Sequence, residues 1–304
     1  MLKLILTKLL FAILSIHCIC AYGQSVIVIK SGEIEPYEQA LNGFKSKYSG
    51  RISEFIVPKK PEDSKGILDN IEAESPESIL AIGIDALLFT KEKIHNIPIV
   101  YCMVMDPEKY GITNSNNITG ITLKISTKDQ MLKLKSIIPE LKKVGIIYDP
   151  KNTKYIVKEA LEIGKTLGID FVTEKVRSQK TVPKALRKLN GEIDALWLIA
   201  DATVITRDSF NFIILYTLEN NIPLMAYCEA FVQAGALMSL SENYLEIGKQ
   251  AAKIVKDVAN KKTNLLGRII EPENSYFIIN TKTSKTIGIN IPREVIESAD
   301  KVFD

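Results

Sequence analysis

Lys143-Val144-Gly145-Ile146-Ile147-Tyr148-Asp149-Pro150 reads as a strand closed by an Asp-Pro turn, and 153–167 after it repeats apolar residues at helical spacing. Positions 144–148 are apolar consecutively rather than alternately, so neither face of this strand meets water. Strands covered on both faces belong to parallel sheets flanked by helices. Outward from this stretch the same unit recurs. Strands are predicted at 25–30, 52–57, 78–82, 97–102, 143–148, 170–173, 195–199 and 222–227. Helices are predicted between and after them, at 37–48, 62–73, 85–94, 128–138, 153–167, 182–189, 209–220 and 244–260. Strand, helix, strand with right-handed crossovers is a doubly wound α/β fold. The series occurs twice, broken at the Asn-rich stretch 111–120 (GITNSNNITG), which fits two Rossmann-like lobes joined by a hinge.

The composition sets limits on function. Of 304 residues, 46% are hydrophobic and 25% charged, with Lys+Arg 39 against Asp+Glu 36, too balanced for a nucleic-acid-binding surface. Lys3 and Lys8, the apolar run 9–16 and the small residues Ala21 and Gly23 spell a secretory signal over 1–23, cleaved near Gly23. Export to the periplasm of a soluble chain is therefore expected. Beyond residue 23 the chain keeps one histidine, His95, and two cysteines, Cys102 and Cys228. That leaves no material for a His-rich metal site and argues against a Ser-His-Asp triad. The two cysteines are expected as free thiols in different lobes. No phosphate-binding, nucleophile-elbow or metalloprotease motif is present, so no cofactor, metal or catalytic residue is assigned.

Further motifs fall in a recognisable order. Pro98-Ile99-Val100-Tyr101 leads to Met105-Asp106-Pro107 and then to Asn117-Ile118-Thr119-Gly120-Ile121. Lys143–Pro150, Asp194-Ala195-Leu196-Trp197, Asp201-Ala202-Thr203-Val204, Gly235-Ala236-Leu237 and Ile287-Gly288-Ile289-Asn290-Ile291-Pro292 follow. Together these resemble the ABC-transporter substrate-binding family with the type I periplasmic-binding fold, whose members bind small molecules such as aromatic amino acids. The resemblance implies a solute-binding protein that captures a ligand between its lobes and delivers it to the permease of an ABC importer. It also implies a first lobe of 24–120 with about 230–265, and a second of 121–229 with a tail of about 266–304. A monomer is expected. The chain departs from the amino-acid binders where these carry T-P-A-A after the third strand and N-P-S-E-A-N-S after the first strand of lobe two. Here Ile84-Asp85-Ala86-Leu87 and Asp149-Pro150-Lys151-Asn152-Thr153 stand instead.

Ligands of open α/β sheets bind outside the carboxyl ends of the strands. That rule selects the loops 31–37, 83–85, 102–107, 149–153, 200–203 and 228–230. Their candidate ligand-binding residues are Ile84, Asp85, Asp106, Asp149, Asn152, Thr153, Asp201, Thr203, Cys228 and Glu229. The carboxylates among them predict an acidic cleft for an amine-bearing or polyhydroxyl ligand. Each has a simpler reading beside it. Asp85 could cap a helix, Asp106 and Asp149 could serve turns before proline, and Asn152 and Thr153 could start a helix. Two other functions remain open to the sequence: a ligand receptor for a membrane sensor, and a hydrolase using Asp149 and Asp201 as acid and base.

Overall fold

A computed structural model describes residues 24–60, 63–113 and 115–304, so the signal sequence expected at 1–23 lies outside the described residues. The chain divides into two compact units. One takes the chain up to Ile121 together with Gly248–Ile269, the other Thr122–Ile247 with Ile270–Asp304. In chain order the elements are β1 (Ser25–Lys30), α1 (Glu35–Lys47), β2 (Arg51–Ile56), α2 (Ser64–Glu74), β3 (Ser78–Ile82), α3 (Ile84–Lys93), β4 (Ile99–Val104) and β5 (Ile118–Thr122). Then come α4 (Thr127–Ile137), β6 (Lys143–Tyr148), α5 (Lys154–Leu167), β7 (Asp170–Lys175), α6 (Val182–Leu189), β8 (Ala195–Trp197), α7 (Arg207–Glu219) and β9 (Leu224–Ala226). The remainder is α8 (Glu229–Ala234), β10 (Met238–Glu242), α9 (Tyr244–Ala259), β11 (Ile269–Ile270), β12 (Ser275–Asn280), α10 (Thr281–Thr286), α11 (Arg293–Glu297) and β13 (Lys301–Phe303).

The first sheet has the strand order β2-β1-β3-β4-β5-β11, the second β7-β6-β8-β9-β10-β12-β13. β1 lies parallel between β2 and β3, and β6 lies parallel between β7 and β8. Each sheet therefore grows first to one side of its opening strand and then to the other. The point where the order reverses falls between β1 and β3 in one unit and between β6 and β8 in the other. The second sheet closes with β12 antiparallel to β10 and β13 parallel to β12.

The apolar run at 144–148 is buried on both faces. Val144, Ile146 and Tyr148 join one core cluster with Trp197, Met131 and Leu134, whereas Ile147 joins another with Leu196, Leu186 and Ile213. Period-2 alternation thus divides one strand between two cores. In the first unit Ile27, Ile29, Ile79, Ile99 and Tyr101 form one cluster, while Val26, Val28, Leu80 and Val100 are buried from the opposite parity. α9 lies so close to α1 that a side chain at Gly248 would run into the Ala40 carbonyl, and would meet the Phe44 nitrogen at 2.8 Å.

Three expectations change. Segment 230–247 belongs to the second unit, not the first, because β10 is an interior strand between β9 and β12. β4 begins one residue past Pro98, which has no N–H to give a ladder, and runs on to Val104. The Asn-rich stretch ends in a strand of its own, β5, and β10 to β13 are strands that the apolar pattern does not announce. The chain passes between units three times, after Ile121, Ile247 and Ile269.

Both cysteines among the described residues are free thiols, Cys102 in the first unit and Cys228 in the second. Cys102 is fully buried, and burial pushes its thiol up to about 12. Cys228 is only partly buried. Of the two described cysteines, iodoacetamide should therefore label Cys228 in the folded protein, and Cys102 only in denaturant. Peptide mapping that finds Cys102 modified in the native protein would contradict its placement in β4.

Candidate functional site

At the switch point of the second unit, the loops after β6 and β8 are tied together by one carboxylate. Asp201 is 1% exposed. Its Oδ2 accepts from the Asp149 N–H at 2.8 Å and from the Thr153 hydroxyl at 2.5 Å. Its Oδ1 accepts from Asn152 Nδ2 at 3.1 Å and from the N–H groups of Thr203 at 2.9 Å and Val204 at 3.3 Å. Burial by itself would push this carboxyl up, but the donors from Thr153, Asp149, Asn152 and Thr203 outweigh burial and hold it below the usual range. The knot extends to Asp149, whose Oδ1 accepts from the Lys151 N–H at 3.0 Å and whose Oδ2 accepts from the Thr203 hydroxyl at 2.9 Å. Asn152 also donates to the Thr203 hydroxyl at 3.1 Å. Thr153 precedes α5 but makes no side-chain cap there, since its hydroxyl is committed to Asp201.

Five of the residues read from the sequence are thus brought together, as a network that fills its own acceptors. Both carboxylates of the acid-base alternative are thus engaged by donors of these two loops. Glu229, in the first turn of α8, is also engaged, with Lys301 of β13 at 2.6 Å in a half-exposed ion pair. Cys228 precedes α8 in extended conformation, and its sulfur caps nothing.

The switch point of the first unit is built differently. Gly83, φ +92°, precedes α3 without a side-chain cap, and a Cβ there would sit 2.6 Å from Ser31 Oγ and 2.7 Å from the Tyr37 hydroxyl. Glycine is needed both for the backbone angle and for this close approach. Ser31 Oγ accepts from the Ala86 N–H at 2.9 Å, and the Leu87 N–H turns back to the Gly83 carbonyl at 3.1 Å. The N–H groups of Ile84 and Asp85 have no acceptor among the described residues, leaving two donors open at the helix start. Asp85 is exposed and lies in the first turn, so it does not cap the helix. Burial, then the neighbouring Asp85 charge, raises the Tyr37 phenol above its ordinary value, with a Ser31 hydrogen bond opposing them. Asp106 stands apart from this group, in left-handed conformation (φ 46°) and paired with Lys109 at 2.7 Å.

Sequence reasoning missed Glu242, which ends β10 at the same sheet edge as Asp149, Asp201 and Cys228. Burial raises its carboxyl, a hydrogen bond from its own backbone only partly opposing that. Tyr244 beside it is raised by burial and then by the charges of Glu242 and Cys228, and Tyr227 by burial and Cys228. The parity of Met238 and Leu240, both core residues, was the signal that could have led to it.

Two doubly wound sheets, each reversing strand order beside its opening strand with polar loops at that point, are the type I periplasmic-binding-protein fold. A ligand-free, open substrate-binding protein with adhesive properties from Clostridium difficile shares it with a TM-score of 0.75, at 20% identity over 92% of this chain and 99% of that one. A domain from Streptococcus pneumonia in complex with L-Trp follows with a TM-score of 0.55, at 18% identity over 92% of this chain and all of its own. The chain belongs to the ABC transporter substrate binding protein family, whose model matches residues 47–303. A "Tyrosine-binding protein" of Clostridioides difficile (strain R20291) is 24% identical over 267 residues, 86% of this chain and 76% of its own length. No helix among the described residues is long and apolar enough to cross a membrane.

Proposed function

We propose that the protein is an exported, monomeric binding protein that captures one small molecule at the carboxyl-end loops of its two sheets and delivers it to an ABC importer. The observation that carries this reading is the pair of switch points. In each sheet, strand order reverses where polar loops crowd the carboxyl ends, the position at which open α/β sheets hold ligands. Family membership supports the same reading. In it, Ile84 and Asp85 offer open backbone donors in the first unit, and Cys228 stands at a carboxyl-end loop of the second. Asp149, Asn152, Thr153, Asp201 and Thr203 shape the loop that presents it. A ligand with differential affinity for one conformation shifts the population toward it, and that conformation is what a permease would recognise. A small aromatic or amine-bearing solute fits the relatives that bind tyrosine and L-Trp.

The test is native mass spectrometry of the exported protein for co-purifying small molecules, followed by calorimetry with each one identified. One-to-one binding accompanied by a smaller radius of gyration in solution scattering is expected. A protein that retains nothing and binds no amine, amino acid or sugar would overturn the reading.

A further inference from the structure

Most of the acidic groups read from the sequence are already in use. Asp201 and Asp149 are filled by donors of their own loops, Glu229 pairs with Lys301, and Asp106 pairs with Lys109. Asp85 is exposed and keeps its water. Glu242 is the exception. It lies at the carboxyl end of β10, its parity places it in line with the core residues Met238 and Leu240, and its register partner across β12 is the uncharged Ser275. No cation of the described residues pairs with it. Beside it the chain sets one aromatic residue in place. Tyr244 is close enough to feel the Glu242 charge.

A half-buried carboxylate with no cation costs the fold stability, and it is tolerated where something outside the chain supplies the missing charge. We propose that Glu242 is the residue by which the second unit selects an amine-bearing ligand, its carboxylate accepting a charge-assisted hydrogen bond from the ligand's ammonium group beside Tyr244. The proposal rests on the ligand-binding reading above and narrows it from small molecules in general to amines. The Tyr244 ring adds a second attraction, since an ammonium group over an aromatic face is favourable where water is thinned. A polyhydroxyl ligand has no such claim on this position: it would leave the carboxylate's charge uncompensated.

The test uses matched probes that differ only in the amine, with thermal shift and calorimetry as readouts: tyramine against 4-ethylphenol, tryptamine against 3-ethylindole, and 1,4-diaminobutane against 1,4-butanediol. At least one amine should bind the wild type while its amine-free partner does not, and Glu242→Gln should weaken that amine roughly ten-fold or more. The ligand-free variant should unfold at the same or a higher temperature than wild type, because the uncompensated charge is gone, and this separates lost recognition from lost folding. Equal binding of an amine and its amine-free partner, unchanged affinity in Glu242→Gln, or no binding by any amine would overturn the role of Glu242. Binding of amine-free probes alone would leave the ligand-binding reading standing without it; that reading itself falls only if the protein also retains no small molecule and binds no amino acid or sugar.

Discussion

Asp201→Ala is expected to destabilise the second unit by about 3–4 kcal/mol, the scale for breaking a buried, charged hydrogen-bond network. The loss is not of one bond. The Asp149, Thr203 and Val204 N–H groups, the Thr153 hydroxyl and the Asn152 amide all donate to this carboxylate, and each is left without that acceptor. Asp201→Asn should lose less, since one oxygen can still serve Asn152 and Thr203 while an NH2 faces the Asp149 N–H. Acid should reproduce the effect. The folded-state pKa is depressed, so the stabilisation is fully present above the ordinary Asp value of about 3.9 and is lost as pH falls through the lower folded value. Denaturation curves across pH, read with hydrogen exchange in 149–153 and 200–204, would check both. An alanine variant as stable as wild type, with those loops equally protected, would mean that the network does not form in solution.

The second large effect belongs to Gly248. In an exposed helix Gly→Ala gains about 1 kcal/mol from propensity alone. Here the added methyl group points into the backbone of α1, at 2.7 Å from the Ala40 carbonyl carbon and 2.8 Å from the Phe44 nitrogen. Backbone cannot rotate away as a side chain could, so the helices must separate and Ala40, Leu41 and Phe44, all buried, lose contact. Gly248→Ala should therefore cost about 2–3 kcal/mol net. Denaturant unfolding of this variant beside Gly66→Ala, where the new methyl group would meet nothing within 4 Å, isolates the clash from propensity. Equal behaviour of the two variants would refute the close crossing.

What could be read in the sequence follows from how each group is satisfied. β1, β3, β4 and β6 are continuous apolar runs because both faces are covered, and that pattern is local. β10 escaped because Ser239 and Ser241 interrupt it, and β11 and β13 because two or three residues carry no period. The carboxylates at strand ends were equally visible, yet their condition was not. Whether Asp201 is open or filled depends on donors some fifty residues earlier, and the state of Glu229 on Lys301, 72 residues later. Glu242 could not be singled out until β10 was known to end there. Sequence proximity gives the position of a charge, but only the folded neighbours determine whether it is free.

The three passages of the chain between units also bear on biogenesis. Neither unit is a contiguous gene segment. A nascent chain that has emerged through Ile121 carries β1 to β4 and most of β5, but lacks β11, which flanks β5, and α9, which packs on α1 through Gly248. β5 then presents an unpaired edge, and part of the first core is open, until more than a hundred further residues have been made. The half-built sheet is thus a poor candidate for premature folding. If the chain is exported as proposed, a topology in which the last pieces of its first unit arrive late helps it stay unfolded for the crossing.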